Sequence, residues 1–440
     1  MDRFLIFMII LLSSLNVKSE DFSTEKINLG SNLNSIFNDF LPIISPDGKT
    51  LFFVRSGTSL NTGGVEDQDI WYSELINGKW TEAENIGPPL NTVGSNGVCA
   101  VTPDGNTLLL FGRYHDDGHI SAGVSWSHKT AYGWSEPEEL KVKNFYNNSI
   151  YSSYYLSNDG KTLLLSLERD DTYGGLDLYV SFLQEDGTWT EPKNLGGNVN
   201  TTEDDYSPFL AADGVNLYYS TRGREGYGQS DLYKIERLDD TWQNWGQPEN
   251  LGPKINTKGK DAYFHIPASG DYGYFASSFN GGNNLDIYKI LLPEAVKPEA
   301  VVFISGVVLN SKTNEPVEAK VLYERLPSGE QVGIARTDPK TGVYKITLPG
   351  GYMYGFRAEA PNFVSINDNI DATDVKHYKE IERNLQLVPI EKGETVRLNN
   401  IFFDYNKHTL KEVSYPELNR IVDLLIDNKK MKIKISGHTD

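Results

Sequence analysis

The sequence predicts a mainly β protein: a five-bladed β-propeller, then a small β-sandwich, then the start of an α/β domain. Three observations predict the propeller. An Asp-Gly turn recurs at nearly constant spacing, each turn separates two apolar runs, and an Asn-Leu/Ile-Gly turn closes most units. Asp-Gly between apolar runs is a strong signal for a two-residue β-hairpin connection, because glycine tolerates a positive φ.

The repeated segment is clearest at its turn. SPDGKT at 45–50 recurs as TPDGNT at 102–107, SNDGKT at 157–162 and AADGVN at 211–216, with a degraded copy, ASGDYG, at 268–273. Successive central positions are 57, 55, 54 and 56 residues apart. Each unit contains short runs of strand length, which is the pattern of a four-stranded propeller blade.

The N-terminal segment matches the strand that the fifth unit lacks. That unit ends at Leu292 without a Trp-containing run, whereas residues 24–30 resemble residues 81–87 and 190–196. Pairing the first and last segments removes two open sheet edges. We therefore predict a propeller over residues 24–292, closed by residues 24–30.

Composition excludes several classes of function. The 440 residues carry 41 Lys and Arg against 60 Asp and Glu, a net charge of −19, so we expect no nucleic-acid binding. The single cysteine, Cys99, excludes an internal disulfide framework and a cysteine-based zinc cluster. We interpret Cys99 as a small buried hydrophobe on an inner strand. We assign no cofactor and no catalytic residue.

Residues 1–19 have the pattern of a signal peptide. Arg3 precedes an apolar run at 4–12, and Val17-Lys18-Ser19 offers a cleavage site. The run is short for a membrane span, so we favour an exported protein over a retained N-terminal anchor.

Two groups of polar residues are candidate sites in the propeller. Eight residues before each turn lie Asp39, Asn96, Tyr151, Asp205 and Asp261, which would encircle one mouth of a central channel. These residues either bind a ligand or satisfy the backbone at the start of each inner strand, and we favour the second interpretation. The second unit also contains His115, His119 and His128 beside Asp116 and Asp117. Their irregular spacing favours a solvated loop over a metal site.

The propeller units carry Asp-Gly, Asp-Ile/Leu-Tyr and Asn-Leu-Gly motifs, as at Asp177-Leu178-Tyr179 and Asn194-Leu195-Gly196. In this combination they resemble the TolB-like, WD-type propeller repeats of bacterial envelope proteins. The resemblance implies a binding platform.

Residues 293–300 predict a linker with two prolines, and residues 301–389 predict short strands of a β-sandwich. The segments 304–308, 315–317 and 341–344 resemble carboxypeptidase-regulatory-like domains. This resemblance implies a spacer or adhesion module.

Residues 398–440 predict a strand, a helix and a second strand. Ser414 and Glu417 have the spacing of a capping box. Four apolar residues have the spacing of one helical face: Leu418, Ile421, Val422 and Leu425. Ile433 and Ile435 alternate as in a strand.

Two motifs in this segment resemble the first part of an OmpA-like peptidoglycan-binding domain: Ile401-Phe402-Phe403-Asp404 with Lys407, and Gly437-His438-Thr439-Asp440. The resemblance implies that Asp440 binds the ammonium group of diaminopimelate in the peptidoglycan stem peptide. In the family, an Arg on the following helix binds the carboxylate of the same group. We therefore expect the natural chain to continue beyond Asp440.

This domain combination resembles a peptidoglycan-tethering component of type IX secretion in Gram-negative bacteria. The resemblance implies a non-catalytic scaffold in the periplasm, at the outer membrane, whose propeller binds an envelope protein. A second hypothesis is a glycan-binding or glycan-cleaving propeller, for which Asp39, Asp205 and Asp261 are the candidate carboxylates. A third is a structural envelope protein without a specific propeller ligand.

Overall fold

The computed structural model describes residues 25–278, 284–364, 367–391, 393, 398 and 401–437. The described chain is mainly β and consists largely of small antiparallel sheets. None of its described helices is long and apolar enough to cross a bilayer. The predicted signal peptide, residues 1–19, lies outside the described residues.

Residues 25–292, where described, form five antiparallel sheets of four or five strands, together called here the five-sheet domain. The first strand in the chain is β1 (Ile27–Asn28), which belongs to sheet 5. Sheet 1 contains β2 (Asn38–Ile44), β3 (Thr50–Ser56), β4 (Gln68–Ile76), β5 (Lys79–Trp80) and β6 (Glu84–Asn85). Sheet 2 contains β7 (Val98–Val101), β8 (Thr107–Tyr114), β9 (Ile120–Thr130), β10 (Gly133–Trp134) and β11 (Glu138–Glu139).

The other three sheets follow the same order. Sheet 3 contains β12 (Ser153–Leu156), β13 (Thr162–Leu167), β14 (Asp177–Phe182) and β15 (Lys193–Asn194). Sheet 4 contains β16 (Asp205–Leu210), β17 (Asn216–Thr221), β18 (Asp231–Glu236) and β19 (Glu249–Asn250). Sheet 5 contains β20 (Ala262–His265), β21 (Tyr272–Ser277), β22 (Asp286–Leu291) and the N-terminal β1.

The first strands of the five sheets contact one another in a closed circuit. β2 contacts β7, β7 contacts β12, β12 contacts β16, β16 contacts β20, and β20 contacts β2. The N-terminal segment completes sheet 5, because β1 pairs antiparallel with β22 and Asn28 lies opposite Tyr288. Apolar side chains fill the space between neighbouring sheets, among them Tyr179, Trp189, Tyr218 and Phe275.

Each Asp-Gly turn leaves five residues between the first two strands of its sheet, so the expected two-residue connection is wrong. In sheet 1 the N–H of Ser45 donates to the carbonyl of Thr50, and the N–H of Gly48 donates to Ser45, both at 2.8 Å. The Asp47 carboxylate accepts the Ser45 hydroxyl at 2.6 Å and the Lys49 N–H at 3.0 Å. These bonds stabilise the longer turn, and Gly48 takes its left-handed position at φ 69°.

Residues 301–389, where described, form two sheets around one core and are called here the two-sheet domain. One sheet contains β23 (Val301–Asn310), β26 (Val343–Pro349), β28 (Phe363–Val364), β30 (Lys379–Glu382) and β31 (Leu385–Pro389). The other contains β24 (Lys320–Leu326), β25 (Glu330–Arg336), β27 (Met353–Glu359) and β29 (Asn367–Asp371). Inward side chains of both sheets, such as Ile304 and Phe356, are buried together.

The two-sheet domain covers the end of the five-sheet domain that carries the Asp-Gly turns, called here the Asp-Gly face. Lys345 Nζ lies 2.6 Å from Asp47 Oδ2 of sheet 1. The N–H of Arg336 donates to Asp104 Oδ2 of sheet 2 at 2.6 Å. The Tyr323 hydroxyl donates to the Asn158 carbonyl of sheet 3 at 3.1 Å. Turns from several sheets therefore contact one partner surface.

The segment between the two domains packs against the same face. A 3-10 helix spans Glu294–Val296, and the Tyr218 hydroxyl donates to the Val296 carbonyl at 2.6 Å. The N–H of Glu299 donates to Asp213 Oδ2 in the turn of sheet 4 at 2.8 Å. This segment, predicted as a linker, is thus bound along its length to the five-sheet domain.

The C-terminal segment contains a 3-10 helix at Glu412–Ser414 and helix α1 at Tyr415–Asp427. The predicted capping box is wrong, because Ser414 makes no capping bond and its hydroxyl instead accepts the Phe402 N–H at 2.8 Å. Glu417 accepts hydrogen bonds from Asn367 and Arg420. Glu417 is buried, and a buried carboxylate requires charged or polar donors, which Asn367 and Arg420 supply.

The predicted second strand of this segment is wrong. Residues 432–436 are not a strand, and Ile435 is 72% exposed. A strand requires a neighbour to pair its backbone, and none lies beside these residues within the described part of the chain. Helix α1 places the four apolar residues on one face, as predicted, and Val422 on that face is 53% exposed.

Candidate functional site

The centre of the five-sheet domain is filled with side chains. One residue from the same level of each first strand points to this centre: Ile43, Ala100, Tyr155, Phe209 and His265. The ring centroids of Phe209 and His265 lie 4.6 Å apart, and those of Tyr155 and Phe209 lie 5.2 Å apart. The remaining cavity is about 10 Å³, which is room for about one water molecule. No sugar ring fits at this level.

Four of the five predicted ring residues are buried turn residues. Asp39, Asp205 and Asp261 are fully buried, and Asn96 is nearly so. Each accepts the backbone N–H of the residue four positions earlier, from Ser35 at 2.6 Å, Thr92 at 3.0 Å, Thr201 at 2.5 Å and Thr257 at 2.6 Å. These bonds support the interpretation that the side chains satisfy the backbone at the start of each first strand.

Tyr151 differs from the other four. Its side chain is 68% exposed, and its backbone N–H donates to the Ser149 hydroxyl at 3.1 Å. The Asn147 amide donates to the Tyr151 carbonyl at 2.8 Å. The structure therefore does not place Tyr151 in one ring with the buried carboxylates.

The same four residues also connect neighbouring sheets. Their backbone N–H groups donate to the sheet before them: Asn96 to Gln68 at 2.8 Å, Asp205 to Leu176 at 2.7 Å, Asp261 to Ser230 at 3.2 Å, and Asp39 to Leu285 at 2.9 Å. The last bond joins sheet 1 to sheet 5 and so completes the circuit. These positions stabilise the contacts between sheets.

The three carboxylates differ in their electrostatic surroundings. Asp39 pairs with Arg55 at 2.6 Å, and burial raises its pKa even with this cation beside it. At the position of Arg55, sheet 4 has Thr221, so Asp205 has no cation opposite it. Burial raises the pKa of Asp205 to about 6, although the Thr221 and Thr201 side chains act in the opposite direction. Burial also raises the pKa of Asp261, with Lys26 acting in the opposite direction.

These carboxylates are poorly placed for glycoside hydrolysis. A glycosidase needs a pair of carboxyl groups that reach the substrate from opposite sides of the scissile bond. Asp39, Asp205 and Asp261 are instead enclosed and hold backbone N–H groups within their own loops. Their arrangement serves folding and offers no open carboxylate to a sugar.

The end of the five-sheet domain opposite the Asp-Gly turns, called here the open face, carries exposed apolar side chains. It is formed by loops that enter the first strand of each sheet and loops between the second and third strands. The exposed side chains are Ile36, Leu60, Val65, Val93, Ile150, Tyr151, Tyr173 and Tyr227. Ile36 is 82% exposed and Ile150 is 88% exposed. Apolar groups so exposed on one face are typical of a binding surface.

The histidines of the second unit do not converge. His115 and His119 stack with ring centroids 3.9 Å apart, and Asp117 lies 2.5 Å from His119. His128 lies opposite Thr107, whose hydroxyl is 3.0 Å from its Nδ1 atom. Thr107 begins β8 and His115 follows its end, which separates the two groups by eight residues, or roughly 26 Å of strand. No cluster of metal ligands is found in the described residues.

The predicted peptidoglycan site is not described. Asp440, with His438 and Thr439, lies outside the described residues. Cys99 is buried on β7, and burial raises the pKa of its thiol.

Sequence reasoning missed a polar network that recurs in four sheets. In sheet 3, Asn194 bonds to Asp177 at 2.7 Å, to the Gly196 N–H at 2.8 Å and to Asn200 at 2.8 Å. Asn200 also bonds both backbone groups of Leu178. Each of the four sheets has one such Asn–Asn pair. The pairs are Asn28–Asn34 in sheet 5, Asn85–Asn91 in sheet 1, Asn194–Asn200 in sheet 3 and Asn250–Asn256 in sheet 4. The Asn-x-Gly-x-x-x-Asn spacing was the available signal.

Comparison with known proteins assigns no family. No family model matches the chain, and no curated protein matches it. Among solved structures, an endo-arabinase from Bacteroides thetaiotaomicron shares 13% identity over 61% of this chain and 98% of its own, with a TM-score of 0.39. An alpha-L-arabinofuranosidase from Lactobacillus brevis shares 12% identity over 59% and 93%, also with a TM-score of 0.39.

A hydroxyquinol 1,2-dioxygenase from Pseudomonas putida is matched over 21% of this chain at 11% identity, with a TM-score of 0.17. This chain spans 58% of that structure. With TM-scores below 0.5, these likenesses assign neither an activity nor a ligand to the chain.

Proposed function

We propose that the protein is a non-catalytic scaffold of the cell envelope, built on a five-bladed β-propeller whose open face binds a protein partner. The five sheets are the blades, and β1 closes the ring. One observation carries the proposal: the two-sheet domain covers the Asp-Gly face, whereas the open face presents exposed apolar side chains. Exposed apolar patches of this kind favour protein contacts.

The filled centre supports binding rather than turnover. At the level of Tyr155 and His265 the cavity is about 10 Å³, and the buried carboxylates accept hydrogen bonds from loop donors. The exposed apolar side chains of the open face supply the surface for a protein partner.

The experiment for this part is site-specific photocrosslinking in cells from Ile150 on the open face. The control position is Tyr132, which is fully exposed on the loop between β9 and β10 at the opposite end of sheet 2. We expect one protein to be captured from Ile150 and not from Tyr132. The same capture pattern from both positions would contradict a specific open-face partner.

The proposal includes attachment to peptidoglycan through the C-terminal segment. Its support is the OmpA-like motif that ends in Asp440. We expect the full-length protein to sediment with purified sacculi and Asp440→Ala to lose this retention. Asp423→Ala, on the exposed side of helix α1, is the control. Equal retention of both variants would remove Asp440 from the site.

A second candidate function is non-catalytic glycan binding at the open face. It is favoured by three tyrosines there that are at least half exposed, Tyr151, Tyr173 and Tyr227. A tyrosine ring presents an apolar face and a polar hydroxyl, which suits a sugar ring. Affinity electrophoresis in soluble arabinan and other polysaccharides tests this candidate. If the tyrosines bind the glycan, Tyr173→Ser and Tyr227→Ser should reduce the retardation, and the control Tyr132→Ser should not. Unchanged retardation in all three variants would count against this candidate.

A further inference from the structure

Sheet 2 lacks the polar network that recurs in the other four sheets. The N–H of Leu140 bonds the Val124 carbonyl, just as the N–H of Leu195 bonds Leu178 in sheet 3. This match aligns Gly123 with the network aspartate, Glu139 with its first asparagine, and Phe145 with its second asparagine. The side chains that close this region in the other sheets are therefore absent from sheet 2.

A cleft of about 280 Å³ lies at the place of the missing network. Its lining includes all three substituted positions, Gly123, Glu139 and Phe145, together with Arg113. Four other sheets fill the equivalent region with bonded Asp and Asn side chains, so the cleft results from local replacement and not from the general fold. Its volume is near the lower end of small-ligand pockets, which hold about 300–1,000 Å³.

The cleft has an apolar floor and a mainly cationic rim. Val124 and Leu140 are buried, and Phe145 packs against the main core. Arg113 and Lys141 bring two positive charges, while Glu139 brings one negative charge. Arg113 is 42% exposed, and its contacts to Glu139 and His115, at 3.4 and 3.3 Å, are long. A guanidinium has five donors, so Arg113 can bind a further anion.

We propose that this cleft binds a small organic carboxylate, with its apolar body against Val124, Leu140 and Phe145 and its carboxylate against Arg113. A planar guanidinium matches a carboxylate with two parallel hydrogen bonds, and the apolar floor accepts a ring or short alkyl chain. Two cations against one anion leave the rim with a net positive charge, which favours an anionic ligand over a neutral one. This site is separate from the open-face function proposed above and does not depend on it.

The probe for this site is naphthalene-2-carboxylate, titrated into the full-length protein and followed by calorimetry and saturation-transfer NMR. We expect saturable one-to-one binding, and weaker binding by about tenfold for the neutral naphthalene-2-carboxamide, because a charged hydrogen-bond pair is lost. Arg113→Met keeps the apolar part of the side chain and should lower the affinity for naphthalene-2-carboxylate by a similar factor. Arg222→Met, an exposed arginine of sheet 4 paired with Asp204, is the matched control and should bind normally.

A second variant tests the cleft itself. Ala122→Trp places a large ring into the cavity and should abolish binding, with Val142→Phe as the alternative if that variant does not fold. Loss of the carboxylate probe in both the Arg113 and cleft-filling variants supports the site. Equal affinity in Arg113→Met and Arg222→Met, or no saturable binding by the unaltered protein, would overturn it.

Discussion

The Asp47 carboxylate in the first Asp-Gly turn lies 2.6 Å from the ammonium group of Lys345, 298 residues later in the chain. Burial alone would raise the pKa of Asp47, but Lys345 and the donors of the turn hold it below its ordinary value. The turn residue that marks the repeat in the sequence is thus also a contact between two domains. This contact holds the two-sheet domain against the Asp-Gly face, whereas the open face lies at the opposite end of the five-sheet domain.

The Asp47–Lys345 pair should couple the stabilities of the two domains. In a double-mutant cycle with Asp47→Asn and Lys345→Met, we expect a coupling free energy of about 1 kcal/mol, since the pair is partly buried. The control cycle uses Asp374 and Lys376, whose side chains are 84% and 77% exposed. Chemical denaturation measures both cycles. Equal coupling in the two pairs would show that Asp47 and Lys345 contribute no more than an exposed ion pair does.

Closure of the five-sheet domain can be tested at Asn34. Its amide bonds both backbone groups of Ile287 and the side chain of Asn28, all between 2.8 and 2.9 Å. Asn34→Ala should lower the free energy of unfolding by about 2–3 kcal/mol, because buried backbone groups lose their partners. Asn200→Ala removes the same set of bonds within sheet 3 and should cost a similar amount. A negligible effect of Asn34→Ala alone would refute closure by the N-terminal segment.

Asp205 should make the protein less stable as pH rises. Its folded pKa of about 6 exceeds the usual value of 3.8, so the folded state holds its proton longer than the unfolded chain does. Stability is therefore lost between about pH 4 and pH 6, by at most about 3 kcal/mol. Asp205→Asn should remove this loss, and the sheet 2 equivalent Asn96 already shows that an amide accepts the same N–H. Parallel pH profiles for the unaltered protein and the variant would contradict the expectation.

His265 should have the opposite effect. Burial lowers its pKa to about 3, so the unfolded chain binds a proton below about pH 6.5 while the folded protein does not. Stability should fall as pH decreases through 6, by up to about 1.4 kcal/mol per pH unit. His265→Phe places at this position the residue that sheet 4 has at Phe209. In denaturation experiments it should reduce the loss of stability below pH 6. The exposed His377→Gln is the control, and an equal change in both variants would rule out the buried imidazole as the cause.

Local patterns determined much of the fold. Asp47, Asp104 and Asp213 marked the turns because an Asp-Gly sequence stabilises a turn through bonds to its own neighbours. Asn28 indicated the N-terminal strand for the same reason, since its bonds repeat those of Asn194 and Asn250. Such features depend on residues a few positions apart, and these appear directly in the sequence.

Long-range contacts decided what these features do. The sequence placed Asp39, Asp205 and Asp261 at equivalent positions, but only the tertiary structure shows that they are enclosed and that Arg55 neutralises one of them. Likewise, Ser414 and Glu417 have the spacing of a cap, yet Phe402 and Asn367 bind them instead. The physical reason is that a buried polar group must form hydrogen bonds with whichever partner the fold brings close to it. Because that partner can be far away along the chain, no local sequence pattern reveals it.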